Sequence, residues 1–165
     1  MCYGHEGASL RTFMRKLFAA VAFALLASSA QAAELEGPAR FCGYSPIIDL
    51  LAGERITTLE GGIHSGTFRW DGPFGSLEVH GIGWASRPPG QIVEPKRGER
   101  PARFAQRRVA GEYVVAIWNG ANGAAYFRSP RPITRSQMRA IERVTLFEEG
   151  QTPMGCNLRT MFSWE

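Results

Sequence analysis

Histidine and cysteine are scarce in this chain: three of each stand in 165 residues, and no His-x-x-x-His or Cys-x-x-Cys spacing occurs. Their scarcity removes the compact ligand sets from which zinc sites are built, so neither a metal nor another cofactor is expected. The Gly-x-Ser-x-Gly elbow that strains a nucleophilic serine is also missing, since Gly62-Ile63-His64-Ser65-Gly66 has its composition but not its spacing. Lysine is confined to Lys16 and Lys96 among many arginines, a bias that codon usage explains as well as recognition does. No internal repeat occurs.

A long apolar run is lacking too, with one short exception. Leu17 to Leu26 follows Arg15 and Lys16 and precedes Ala30-Gln31-Ala32. That order of charged start, short apolar core and small-x-small site is the grammar of a bacterial secretory signal, expected to be cut after Ala32. The run is too short to span a bilayer as a stable helix, and Ser28 to Gln31 interrupts it, so an uncut anchor is the weaker reading. No transmembrane segment is then expected after cleavage. Thirteen residues including Glu6 precede Met14, where positive charge would normally stand, and translation is expected to start at Met14 rather than Met1. A lipoprotein is disfavoured because Cys42 lies too far beyond the apolar run.

Removal of residues 1–32 leaves 133 residues with a net charge of +2. That length suits one domain, residues 33–165, able to bury roughly two thirds of its unfolded surface. The near balance of charge gives no electrostatic case for a nucleic-acid partner. Two cysteines, Cys42 and Cys156, remain. In the oxidising periplasm or outside the cell such a pair is expected to form one disulfide that ties the two ends of the domain together.

The period of the remaining sequence is mostly two. Strands are expected at about 55–60, 62–70, 75–84, 103–109, 112–118 and 124–129, with two further strands at 144–147 and 157–162. Ser45-Pro46 followed by an apolar stretch ending at Gly53 reads as a short capped helix. Thr134 and Gln137 have capping-box spacing ahead of Met138, Ile141 and Val144, which fall on one side of a second helix. Residues 86–101 carry four prolines and read as a long mobile loop that joins no ladder. The expected fold is α+β, mainly antiparallel β: a small sandwich or partly closed barrel of about seven or eight strands with two short helices.

A Gly72-Pro73 turn sets a hairpin in which Phe68 faces Leu77 and Gly66 faces Val79. On the opposite side this register places Ser65, Thr67 and Arg69 against His80, Glu78 and Ser76, with Ile63, Ile82 and Trp84 alongside. Arg69, Glu78, His80 and Trp84 form the candidate ligand strip, in which the indole offers a stacking plane and the polar groups give direction. A nucleophile, base and orienter reading of Ser65, His80 and Glu78 defines the competing class, an envelope hydrolase or transferase. An open sheet face excludes little water, which weakens that reading.

His64 and His80 fall on opposite faces, so they do not converge on a metal, and His64 is expected to be partly buried. Trp70, Trp118 and Trp164 are expected in the core. Arg97, Arg100, Arg103, Arg107 and Arg108 form the densest basic stretch. Contact with anionic envelope polymers or lipid head groups is one use for them, but interspersed Glu94 and Glu99 favour a solvated surface. Together these features point to a small exported, non-catalytic binding or interaction module of the cell envelope. Its expected partner is a glycan, a small apolar ligand or another exported protein, and inhibition of a hydrolase falls in that class. A purely structural envelope protein is the third possibility.

Overall fold

The computed structural model describes residues 32–148, 151 and 154–159. The leader up to Gln31, together with Met161, Phe162 and Trp164, lies outside the described residues. Among the described residues, thirteen strands and one α-helix follow in order: β1 (Glu34–Glu36), β2 (Ala39–Cys42), β3 (Pro46–Leu50), β4 (Arg55–Gly61), β5 (Ser65–Gly72), β6 (Gly75–Ile82), β7 (Ile92–Glu94), β8 (Ala102–Phe104), β9 (Arg107–Val109), β10 (Glu112–Trp118), β11 (Ala124–Ser129), α1 (Arg135–Ile141), β12 (Thr145–Leu146) and β13 (Leu158–Arg159). A nine-stranded sheet runs β1-β4-β5-β6-β11-β10-β8-β7, with β9 also paired to β10, and a four-stranded sheet runs β12-β3-β2-β13. The pairing is antiparallel except between β13 and β2. The two sheets do not close into a barrel.

One face of the large sheet is sealed. Phe68 and Trp70 of β5, Leu77 and Val79 of β6, Val115 and Ile117 of β10, and Phe127 of β11 pack with Phe41, Ile48 and Leu50 of the small sheet and with Ala140 and Ile141 of α1. Alternation along each strand sends these side chains to one side and leaves their neighbours on the other. The helix begins as its sequence requires. Thr134 accepts from the Gln137 backbone amide while the Gln137 side chain accepts from the Thr134 amide, a complete capping box.

The other expected helix is a strand. Pro46–Leu50 alternates between buried and more open positions, and it lies between β2 and β12 with Ile48 opposite Phe41 and Ile47 opposite Thr145. Adjacent β-branched Ile47 and Ile48 suit that pleated surface, and Leu51, which a helical stripe would bury, is 54% exposed. Hence there is one helix among the described residues, not two. Residues 86–101 also depart from expectation, because β7 pairs with β8 and Arg97 bridges to Arg100. Their prolines flank the ladder positions instead of occupying them. The strand expected over 103–109 is divided between β8 and β9 at Ala105-Gln106.

Tyr44, Ser45 and Pro46 lie directly on the large sheet over a strip without side chains. A Cβ at Gly66 would come within 2.3 Å of the Tyr44 ring, and one at Gly81, the cross-strand partner of Gly66, within 2.6 Å of the Pro46 ring. Next to this segment the small sheet is also held covalently. Cys42 and Cys156 form a disulfide with Cα atoms 5.8 Å apart, and Arg40 and Asn157 exchange two hydrogen bonds of 2.8 Å beside it.

Two outcomes follow from this packing. Gly66→Ala should destabilise the fold by about 1–3 kcal/mol in urea titration, because the Tyr44 ring has no room to yield; Gly62→Ala, which meets only the Ser65 carbonyl at 3.5 Å, should be near neutral. Equal midpoints for the two variants would refute the close seating of Tyr44. Cys156→Ala opens a loop spanning a sequence separation of 114 residues. It should remove about 2–5 kcal/mol of stability by loop entropy, and an unchanged denaturation midpoint would contradict that.

Candidate functional site

The outer face of the large sheet holds the groups that the core does not use. Cross-strand pairing arranges them in rows. One row runs Glu60, Thr67, His80, Tyr126, Ala116; a second runs Thr57, Arg69, Glu78, Arg128, Val114, Arg107; a third runs Ser65, Ile82, Ala124, Trp118, Ala102. The second row is ionic in its middle: Glu78 lies 3.7 Å from Arg128, and Arg69 donates to Asp71 at 3.1 Å. Both are surface pairs of small energetic weight.

The β5–β6 register differs from expectation by two residues. Pro73 and Phe74 form the turn and Gly72 pairs with Gly75, so Phe68 faces Val79 and Trp70 faces Leu77. Proline suits the first corner of such a turn, and Gly75 takes φ 95°, which glycine adopts without a Cβ penalty. A shift of two keeps every side chain on its face but changes its partner. Ser65 is opposite Ile82 and Thr67 is opposite His80, with Thr67 Oγ1 and His80 Nδ1 3.0 Å apart. His80 therefore contacts a threonine, Glu78 turns to Arg128, and Ser65, His80 and Glu78 do not form a relay.

Arg69 and Glu78 are direct partners and His80 follows on the same face. Trp84 stands beyond the end of β6, 75% exposed, with the His64 ring 5.5 Å away and Ile63 also exposed. His64 is thus exposed rather than partly buried. The backbone clamps this corner through the Gly83 amide, which donates to the His64 carbonyl at 2.9 Å. Trp70 is fully buried as expected, whereas Trp118 is half-buried on the outer face and donates to the Ala121 carbonyl at 3.1 Å.

Toward β10 and β8 the outer face becomes apolar. Ala102, Phe104 and Ala116 are buried there, with Ile92, Trp118 and Tyr126 packed against them. The Arg87 guanidinium lies over the Phe104 ring at 5.5 Å, and Arg107 donates to the Pro89 carbonyl at 3.0 Å, which draws the proline-rich segment over the sheet. Beside it an open cleft of about 270 Å³ is lined by Phe104, Val114, Ala116 and Tyr126, with Arg107, Glu112 and Arg128 also on its wall. Sequence reasoning missed this cleft. Its signal was present in β10, where Val114 to Trp118 is apolar at both parities, the pattern of a strand covered on two faces.

Burial tunes the groups beside the cleft. It pushes the Tyr126 phenol above its ordinary value, against the opposing pull of Arg128. It also holds His80 below its usual 6.5, helped by the Arg128 charge and opposed by Glu78 and Glu60. His80 is therefore neutral at pH 7, and among the described residues no cluster of three metal-ligating side chains occurs. No protein family, curated protein or solved structure matches this chain.

The sign of the histidine shift gives a test. An unfolded histidine titrates near 6.5, so below that point the unfolded chain holds more protons than the folded one. The contribution of His80 is present in full above about pH 6.5 and is lost as pH falls through 6.5 toward the folded value. Denaturation midpoints measured between about pH 7.5 and 5 should fall less steeply in His80→Gln than in the parent; parallel profiles would count against a depressed value.

Proposed function

We propose that this chain is a non-catalytic binding module of the bacterial cell envelope, which takes a small apolar, ring-bearing ligand on the outer face of its large sheet. The observation that carries the reading is the open cleft over Phe104, Val114, Ala116 and Tyr126. Ligand sites are mostly apolar concavities with a few polar groups at the margin, and this cleft has that character with Tyr126, Arg107 and Arg128 beside a hydrocarbon floor. Its volume suits one or two rings.

His80 adjoins Tyr126 and Glu78 adjoins Arg128, so a ligand extending from the cleft meets those two before Arg69. Trp84, at the far corner, is proposed as a separate stacking plane for a sugar ring or a partner protein. The Cys42–Cys156 disulfide supports an oxidising compartment, the periplasm or the medium outside. Among the described residues no helix is long and apolar enough to cross a membrane. The hydrolase alternative gains no support, since Ser65 and His80 are not partners.

The neutral dye N-phenyl-1-naphthylamine tests the cleft directly. Its fluorescence should rise on addition of the folded protein, and Val114→Glu, at a half-buried outer position, should weaken binding by at least about fivefold with the near-ultraviolet circular dichroism unchanged. A dye that binds Val114→Glu as well as the parent, or binds neither, overturns the proposal.

A further inference from the structure

A second cleft lies at the other face of the β7–β8 hairpin. Its geometry begins with the turn Arg97-Gly98-Glu99-Arg100, in which Gly98 takes φ 56° and Arg97 and Arg100 exchange two backbone hydrogen bonds of 3.0 Å each. Residues that exchange both bonds in an antiparallel pair stand directly opposite and project to the same side. Two guanidinium-bearing side chains are therefore held next to each other, an arrangement that is unfavourable between like charges unless an anion lies between them.

The neighbouring arginine shows the difference. Arg103 is mostly buried, donates through two nitrogens to Glu94, and lies 3.2 Å from the Met138 sulfur. Glu94, on the wall of the same cleft, is hydrogen-bonded to Arg103, and the charges of Arg100 and Arg97 also pull on its carboxylate from farther away. Arg97 and Arg100 have no ion-pair or hydrogen-bond partner for their side chains among the described residues. Both line a cleft of about 400 Å³ whose accessible apolar wall is Val93, Pro95 and Pro101, with the buried Ile117, Ile141 and Val144 beneath it. A solvated arginine needs no such wall.

We propose that this cleft binds a small amphipathic carboxylate, with the carboxylate seated between Arg97 and Arg100 and a short hydrocarbon tail against Val93, Pro95 and Pro101. The planar forked donors of two guanidinium groups match the two oxygens of a carboxylate. Glu142, on the same wall and without an ion-pair partner among the described residues, disfavours a second negative charge. That selects the monoanionic carboxylate over a dianionic phosphate ester with the same tail.

Calorimetric titration of the full chain with sodium octanoate, octyl phosphate and inorganic phosphate tests the assignment. Octanoate should bind with Kd of about 0.1–1 mM, more tightly than octyl phosphate, and inorganic phosphate should bind more weakly than either. Arg97→Ser with Arg100→Ser should weaken octanoate about tenfold or more; both positions are exposed in a turn, and circular dichroism verifies that the variant folds. Glu142→Gln should narrow the preference for octanoate over octyl phosphate. Val114→Glu should leave octanoate binding unchanged, so this site and the outer cleft stand or fall separately. The proposal is overturned by no octanoate binding up to about 10 mM, by affinity that survives the double arginine variant, or by inorganic phosphate or octyl phosphate binding as tightly as octanoate.

Discussion

The fold depends on one close approach, the seating of Tyr44-Ser45-Pro46 on the glycines of β5 and β6. Gly66 and Gly81 are cross-strand partners, so their missing side chains open one notch and not two separate gaps. Into it go the Tyr44 and Pro46 rings, which brings β3 near enough for Ile48 and Phe41 to close over Phe68. The Phe41 and Phe68 rings meet edge to face at 4.8 Å, a preferred geometry that adds to the hydrophobic term. Glycine is unfavourable inside a strand because it leaves nothing to pack. Here the apposed segment fills that space, so the local weakness of two strands becomes the means of joining two sheets.

Once the sheets are joined, several polar groups pair across the seam, while Ser45 Oγ and Trp70 Nε1 are buried without a hydrogen-bond partner among the described residues. Asn119 is buried, donates to the Phe147 carbonyl at 2.7 Å and accepts from the Ala121 and Gly123 amides. It thereby holds the β10–β11 turn to the segment that leaves β12. Arg143, just after the helix, pairs with the buried Glu54, donates to the Asp49 carbonyl at 3.1 Å and lies over the Trp70 ring. These contacts leave the inner face with little freedom to accept a ligand except at its margin, near β7 and β8. On the outer face Arg69, Glu78 and Arg128 keep two fifths or more of their side chains exposed, and the proposed binding surface lies beside them.

Local grammar in the sequence was a good guide where the structure is local. Thr134 and Gln137 satisfy each other within one turn, so their spacing alone specifies the helix start. Strands β10 and β11 were legible because their alternation and the Asn119–Gly123 turn agree. Ser45-Pro46 misled because the same two residues open a helix or enter a strand, and the choice rests on Phe41 and Thr145 alongside, contacts that no local pattern records. The β5–β6 hairpin shows an intermediate case: burial specified the faces, but only the position of the turn specifies partners, and Pro73-Phe74 instead of Gly72-Pro73 moved Ser65 away from His80. Cys42 and Cys156 were pairable by count, since two cysteines allow one bridge.

The segment that sequence composition marked as irregular is the one on which both clefts depend. Arg103 and Phe104 are consecutive, so the period of two sends the first to the inner margin and the second to the outer face. One three-residue strand thus contributes to both sites, and its partner β7 is a sheet edge. Edge strands are commonly kept short and marked with charge and proline to block pairing with another chain, and Pro95, Pro101, Arg97 and Arg100 meet that description. Edge protection alone accounts for the charges but not for their placement. It needs cations anywhere along the strand, whereas these two face each other across a tight turn beside an apolar recess. Protection of the edge and recognition of an anion are compatible, because a charge that repels a second strand is also free to meet a carboxylate.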